Sequence, residues 1–543
     1  MVEADRSSRN PVFTAPQWRR LTAAGQVEDV PRGEYVFRTG DRDGALILVQ
    51  AGDVEVVRDP LRWSDETVLE HRGPGQLIGE LGLLNGQARF LSARAAEDSR
   101  IVRVPADRLR RLLDEDDEIG DLVLHALWER REALRGGPAA MTLKLVGRGD
   151  SSEFLALRRY AERVDLVHAA VALPRNPTRE QAHGVPPEDL PIAYVQGEPI
   201  ARATPGEVAE RLGLSYRADA DEVVDLVVVG GGPAGLAASI YGASEGLSTV
   251  LIDAVAPGGQ AAATTRIENF LGFPFGVSGG RLIAQASLQA LKFGVRLYAP
   301  CEAVGLERRD DVFDVRLADG RTVRSRTVVV TSGAAYKRLA LDRWEEFEHA
   351  GIYYAATPLE IRQVVKAPVV VVGGANSAGQ AALALVASGC TVDLVVRGDD
   401  LGSRMSSYLA GRLQEEARIR VRTGSNVTAL HGDGGLESVR IDTVGDVEAK
   451  GLFCFIGAEP QTGWLQSLDR DRAGFISTGA DVRSVGGERW QRLGRDPLPF
   501  ETSTPAVFAA GDVRRGSMKR VAAAVGEGSS SVASVHRALA DLH

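Results

Sequence analysis

The sequence predicts a multidomain chain. A β-roll with helices stands at the N-terminus, a small α/β domain follows, and a long α/β module built on two strand–glycine turn–helix units comes last. Three observations lead there. Glycine turns alternate with short β-like runs in the first 137 residues, which end in a leucine-rich, charged stretch. Gly136-Gly137-Pro138 breaks that stretch. Beyond Glu222, two apolar runs lead directly into glycine clusters, near Asp225 and near Pro368. At roughly 150 residues per domain, the 543 residues hold three or four domains.

In the first region, Glu34–Arg38, Ala45–Gln50, Val54–Val57 and Ile101–Val104 read as strands, and Ala106–Arg135 as one helix. Many short strands at regular spacing suit a β-roll. In the second region, Leu143–Val146 is a strand, Ser152–Arg163 a helix and Asp165–Val171 a strand. A polar loop spans Pro174–Asp189, and Ile192–Gln196 with Pro199–Ala201 forms a hairpin. Pro205–Leu212 reads as a helix, with proline in the first turn where its missing N–H costs nothing.

Composition narrows the function. Hydrophobic residues make up 44% and charged residues 25%, enough for ordinary cores. The net charge of -9 argues against a DNA-binding role. No apolar run reaches membrane-spanning length. Met1 to Asn10 is charged and lacks a secretory core, so a cytoplasmic protein is expected. Cys301, Cys390 and Cys454 are scattered, so neither a CxxC nor a metal-ligand spacing exists. Cys390 and Cys454 lie in apolar runs and read as buried small hydrophobes. Cys301 follows Tyr-Ala-Pro and reads as more exposed.

Asp225–Val229 is an apolar strand that runs into Gly230-Gly231-Gly232-Pro233-Ala234-Gly235 and then a helix from Leu236. This is G-x-G-x-x-G in the context of a dinucleotide-binding Rossmann unit. Gly230 permits the tight turn, Gly232 lets a pyrophosphate approach the backbone, and Gly235 lets helix and strand pack closely. The next strand, Ser248–Ile252, ends at Asp253, placed to accept from adenosine ribose hydroxyls. The second unit is Val369–Val372, then Gly373-Gly374-Ala375-Asn376-Ser377-Ala378-Gly379, then a helix to Ser388. Its second strand, Thr391–Val396, ends at Arg397 in place of an acid. A cation there suits the 2′-phosphate of NADP, with Arg404 assisting. Both arginines read equally well as solvated loop residues.

Further stretches carry a family resemblance. They are Pro257-Gly258-Gly259-Gln260, the run Ile267-Glu268-Asn269-Phe270-Leu271-Gly272-Phe273-Pro274, and Thr331-Ser332-Gly333-Ala334. Ala509-Ala510-Gly511-Asp512-Val513 and Lys519-Arg520-Val521 complete the set. With both glycine units they make the region from Glu222 to His543 resemble thioredoxin reductase, of the pyridine nucleotide-disulfide reductase type. The resemblance implies an FAD-binding domain at 219–340 and 461–543, interrupted by an NAD(P)-binding domain at 341–460. It implies FAD and a nicotinamide cofactor and a two-fold homodimer, while Arg397 after the second Rossmann strand favours NADP(H), with NADPH preferred over NADH. In that family Asp512 would bind the FAD ribitol, and the helix after Val521 would hold the flavin ring.

One feature of the family is missing. Its CxxC follows a Gly-Val-Tyr-Tyr-like strand, and the matching segment here is Gly351-Ile352-Tyr353-Tyr354-Ala355-Ala356-Thr357-Pro358. Ala355 and Pro358 occupy the cysteine positions, and neither forms the thiolate that disulfide exchange requires. Hydride transfer from NAD(P)H to FAD needs no cysteine, so the electron acceptor is the open question.

The region 138–218 resembles a thioredoxin or glutaredoxin fold. Leu190-Pro191-Ile192 fits its cis-proline strand and Gly197-Glu198-Pro199-Ile200 its hairpin, while Arg148-Gly149-Asp150-Ser151-Ser152 lacks the redox cysteines. Residues 1–137 resemble a cyclic nucleotide-binding domain. The carrying run is Leu77-Ile78-Gly79-Glu80-Leu81-Gly82, followed by Arg89 and Phe90-Leu91. There Glu80 would accept from the ribose hydroxyl and Arg89 would clamp the cyclic phosphate. Bulk at Phe90 and Leu91 leaves two readings open, a cyclic nucleotide pocket or a vestigial domain used for packing. The expected whole is an FAD-dependent NAD(P)H oxidoreductase without a dithiol relay. A ferredoxin–NADP reductase-like enzyme and a non-catalytic nucleotide or redox sensor are the alternatives.

Overall fold

The computed structural model describes residues 11–541, apart from 43, 80–81, 150, 175–176, 180–184, 218–221, 265–266, 268, 349–350, 357, 402–404, 434, 483–489 and 492. Two compact units result. One comprises Met1–Leu271, Val277–Gly333 and Thr462–His543, the other Gly272–Gly276 and Ala334–Gln461.

The first unit begins with a β-roll of two four-stranded sheets. One runs Gln26–Val30, Ser99–Pro105, Ala45–Ala51, Leu77–Ile78; the other Tyr35–Phe37, Ser92–Ala95, Val54–Arg58, Thr67–Arg72. Ile47, Val49, Val54, Val56, Ala93 and Ile101 fill the core between them. The single helix expected from Ala106 is two helices, Ala106–Glu115 and Asp117–Arg135. Asp116 leaves helical geometry at φ -134° and ψ 94°, and its carboxylate accepts from the Ile119 N–H at 3.2 Å. Aspartate favours this N-cap role over a helix interior, so the break follows from its own chemistry.

The second domain has the strand order Ala169–Leu173, Leu143–Arg148, Ile192–Val195, Glu198–Ile200. Ser152–Arg163 and Pro205–Leu212 are its helices. The expected strand at Asp165 begins only at Ala169. Asp165 takes φ 63° and the Leu166 N–H returns to the Ala161 carbonyl at 2.9 Å, so the chain first closes the helix end. The Leu190–Pro191 bond is cis.

A seven-stranded sheet completes this unit. Val224–Val229 lies parallel between Thr249–Ile252 and Thr322–Val330. Helices cover the sheet, which explains valine-rich strands without polar alternation. Among those helices, Pro233–Ser244 packs on Val521–Asp541.

The second unit holds a five-stranded parallel sheet in the order Ile352–Tyr353, Gly451–Cys454, Pro368–Val372, Thr391–Val395, Ile419–Arg422, and a three-stranded antiparallel sheet of Val427–His431, Ser438–Ile441 and Gly445–Glu448. Asp393, buried mid-strand, is held by Arg420 at 2.7 Å and Arg422 at 3.0 Å. Among the described residues, no helix is long and apolar enough to cross a membrane.

Candidate functional site

Three loops converge where Val224–Val229 ends. Gly230 takes φ 111°, and a Cβ there would strike the Thr331 carbonyl. A Cβ on Gly235 would strike the Gly230 carbonyl, so turn and helix touch only because both residues are glycine. Gly232 caps the helix that Pro233 opens and faces open space, with nothing within 4 Å of a Cβ. The Thr331 hydroxyl donates to the carbonyls of Val229 and Gly230 at 3.0 and 2.8 Å, which pins the Thr331–Gly333 loop to the turn. Asp253 ties in the third loop: its carboxylate accepts the N–H groups of Gly231 at 2.7 Å and of Val255 and Ala256 at 2.9 Å. Gly259, at φ 51°, leans on Gly232, while Gln260 and Asn269 are exposed. Glu268 lies outside the described residues.

This cradle fits FAD. An open glycine face at the start of a twelve-residue helix accepts a pyrophosphate through backbone N–H groups and the helix dipole. A carboxylate offers about four acceptor positions, so Asp253 keeps capacity for a ribose hydroxyl beyond its three amide bonds.

Asp512 stands in the turn Gly511–Val513, directly after Val507–Ala509. Burial pushes its carboxyl up, opposed by Lys519 and reinforced by Glu527. Its carboxylate accepts no hydrogen bond from the described residues, which leaves it free for a hydroxyl-bearing ligand. Lys519 sits 4.8 Å from the Phe475 ring centre. Arg520 is exposed just before the helix that starts at Val521. Glu527, which sequence reasoning passed over, binds the Gly511 N–H, Arg514 and Ser517. Only its place after Gly526 and before Gly528 set it apart in the sequence.

In the second unit, Gly373 takes φ 147° and leads into the helix Asn376–Ala387. The Asn376 side chain accepts the Ser406 N–H at 2.9 Å, Ser377 is exposed and Ala378 is buried. A Cβ on Gly374 would touch Val396. Arg397 is exposed beyond Thr391–Val395, and Arg404 lies outside the described residues. Ala355 follows Tyr354, whose hydroxyl donates to Glu348 at 2.6 Å, and Pro358 opens the short helix Pro358–Gln363.

All three cysteines are buried and free. Cys301, expected to be exposed, is 6% exposed, because its N–H pairs with the Asp253 carbonyl at 2.7 Å and draws it onto the sheet. Burial pushes its thiol up to about 12 and that of Cys454 up to about 11, and raises Cys390 as well. No group of three or more metal-ligating side chains occurs among the described residues.

In the β-roll, Gly79 is buried against Leu46 and Leu83, and Glu80 lies outside the described residues. Arg89 is turned inward. Its guanidinium donates to the Ala45 carbonyl and lies 4.2 Å from the Phe37 ring centre. Phe90 and Leu91 belong to the roll's core. The segment also meets the second domain: the Ala88 N–H donates to the Leu212 carbonyl at 2.9 Å, and Gln196 to the Arg89 carbonyl at 3.2 Å.

Residues 224–528 match the pyridine nucleotide-disulphide oxidoreductase family, and residues 27–116 the cyclic nucleotide-binding domain. Thioredoxin reductase of Treponema pallidum is 30% identical over 309 residues, covering 56% of this chain and 93% of its own length. NADPH-dependent thioredoxin reductase 3 of Arabidopsis thaliana is 30% identical over 68% of this chain and 66% of its own. The crystal structure of thioredoxin reductase from Streptococcus pyogenes superimposes with a TM-score of 0.50 at 28% identity, covering 58% of this chain and 98% of that one. The chain therefore belongs to the pyridine nucleotide-disulphide oxidoreductase family, as a thioredoxin reductase-like protein fused to an N-terminal cyclic nucleotide-binding domain.

Proposed function

We propose that this protein is an FAD-dependent NAD(P)H oxidoreductase, cytoplasmic and dimeric, that delivers electrons to an acceptor other than a thioredoxin disulfide. One observation carries the reading. Ala355 and Pro358 stand where the family's redox cysteines stand, and each of the three remaining thiols is buried with its pKa raised. Thiol–disulfide exchange needs an accessible thiolate, so the family's usual outlet is closed here.

The machinery before that outlet is intact. Bound FAD supplies the capacity to take a hydride from NAD(P)H and pass electrons on. Gly230, Gly232, Pro233, Ala234 and Gly235 would hold its pyrophosphate, Asp253 its adenosine ribose and Asp512 its ribitol. Gly259, Gln260, Asn269, Gly333, Gly511, Lys519, Arg520 and Val521 would surround the remainder. Gly373, Gly374, Asn376, Ser377 and Ala378 would hold the nicotinamide dinucleotide, with Arg397 and Arg404 at its 2′-phosphate.

The N-terminal domain has two readings. In the first, cyclic nucleotide binding draws Arg89 away from Ala45 and Phe37 onto the phosphate, with Gly79, Glu80 and Phe90 lining the pocket, and regulates the reductase. In the second, the domain serves packing alone. The inward Arg89 favours the second reading, and a ligand would have to replace those contacts.

NADPH-dependent insulin reduction with added thioredoxin is expected to be absent, while ferricyanide is reduced readily. Robust insulin turnover that disappears when all three cysteines become serine would reveal a hidden dithiol and defeat the proposal. Arg397→Ala is expected to raise the KM for NADPH about tenfold or more and to leave that for NADH unchanged. A charge-assisted bond of roughly 1.5–3 kcal/mol is lost only with the phosphorylated cofactor; an equal effect on both cofactors would place Arg397 elsewhere. Calorimetric titration of the full chain with cyclic AMP and cyclic GMP separates the N-terminal readings. Saturable heat that Arg89→Ala abolishes supports the ligand pocket, and no heat at millimolar nucleotide supports packing alone.

A further inference from the structure

The turn that carries Asp512 pairs through its backbone with Ile476, and a largely buried carboxylate holds it from the other side. Glu527 lies in the second turn of the helix Val521–Asp541 and fills both of its oxygens from the preceding loop. Oε2 accepts the Gly511 N–H at 2.8 Å and Arg514 Nε at 3.1 Å. Oε1 accepts Arg514 Nη2 at 2.7 Å and the Ser517 hydroxyl at 2.9 Å. The side chain is only 14% exposed. Burial alone would raise its pKa, yet the bonds from Arg514 and Gly511 hold it below the ordinary carboxylate range, so it stays charged.

Asp512 is the opposite case. It belongs to the same turn and accepts no bond from the described residues. Gly511, Arg514 and Ser517 donate to Glu527 and leave Asp512 uncommitted. A Cβ on Gly511 would crowd the Ala234 side chain, so the turn lies close against the helix that opens at Pro233.

We propose that Glu527 is a positioning residue of the flavin site, holding the Gly511–Ser517 loop so that Asp512 presents its carboxylate to the FAD ribitol. This rests on the flavin reading above. Removing one partner of a buried ion pair leaves the other charge uncompensated, so this carboxylate cannot simply be replaced by an apolar group. By receiving four directed donors it sets the orientation of the loop that supplies them.

The test compares FAD Kd, the visible circular dichroism of bound flavin and the apoprotein melting temperature in wild type and variants. Glu527→Gln keeps the volume and removes the charge that four donors face, so Kd should rise by roughly tenfold. Arg514→Ala should match it from the loop side, and Ser517→Ala should give a smaller loss of the same kind. Visible dichroism should change in each, which a purely structural role would not cause. Asp512→Ala combined with Glu527→Gln should bind FAD no more weakly than Asp512→Ala alone, because both act through one contact. Ser517→Ala carries the test should the charge variants melt before they can be assayed. Unchanged Kd and dichroism in variants that fold, or losses that add in the double variant, overturn the assignment. Wild type that holds no FAD at all overturns the flavin reading instead.

Discussion

Backbone contact at Ala234 sets how tightly the first nucleotide domain can close. A Cβ on Gly511 would press on the Ala234 side chain, and a Cβ on Gly528 would strike its carbonyl. Next to it, Gly235 rests on the carbonyl of Gly230. The helix Pro233–Ser244 therefore meets the strand that feeds it, the turn of Asp512 and the helix Val521–Asp541 at van der Waals distance. Side chains at those glycines would push apart the two helices and the turns between them. Asp253 and Thr331 then lock two further loops to the same turn by hydrogen bonds.

In the proposed reading, thiol chemistry is depleted by burial as well as by substitution. A thiol removed from water disfavours its charged form, so Cys301 and Cys454 resist ionisation at neutral pH. The neighbourhood of Ala355 is aromatic. Tyr354 stacks on Tyr336 at 4.8 Å, and its hydroxyl accepts from Trp344 at 3.0 Å while donating to Glu348. These groups make a firm aromatic and hydrogen-bonded frame, and none of them is a nucleophilic sulfur.

Much of this was legible in the sequence because its cause is local. Glycine at a forced turn, an acid at a strand end and a missing CxxC each show in a few consecutive residues. The elements that misled depend on longer-range geometry. The break at Asp116 needed the competition between helix continuation and capping to be decided by the turn that follows. Exposure at Cys301 was inferred from its neighbours, whereas its N–H is claimed by Asp253, 48 positions earlier in the chain. Arg89 follows the spacing of a phosphate clamp, but its direction is decided by Ala45 and Phe37. Glu527 has no local signature beyond flanking glycines, since its donors meet it only after the helix folds back on the Gly511 turn.

The second domain joins the β-roll through Ala88 and Gln196. It also reaches the loop after Thr249–Ile252 in the same unit, where Ala256 shares its core with Leu212 and Val208. Its contacts on the two sides are those of a connector. The central claim, a flavin centre with no second redox group, is tested most directly by anaerobic titration with dithionite. The expected end point is about two electrons per FAD, the capacity of the flavin alone. An end point near four electrons per FAD would show a redox-active disulfide, which is itself a two-electron couple, and would contradict the claim.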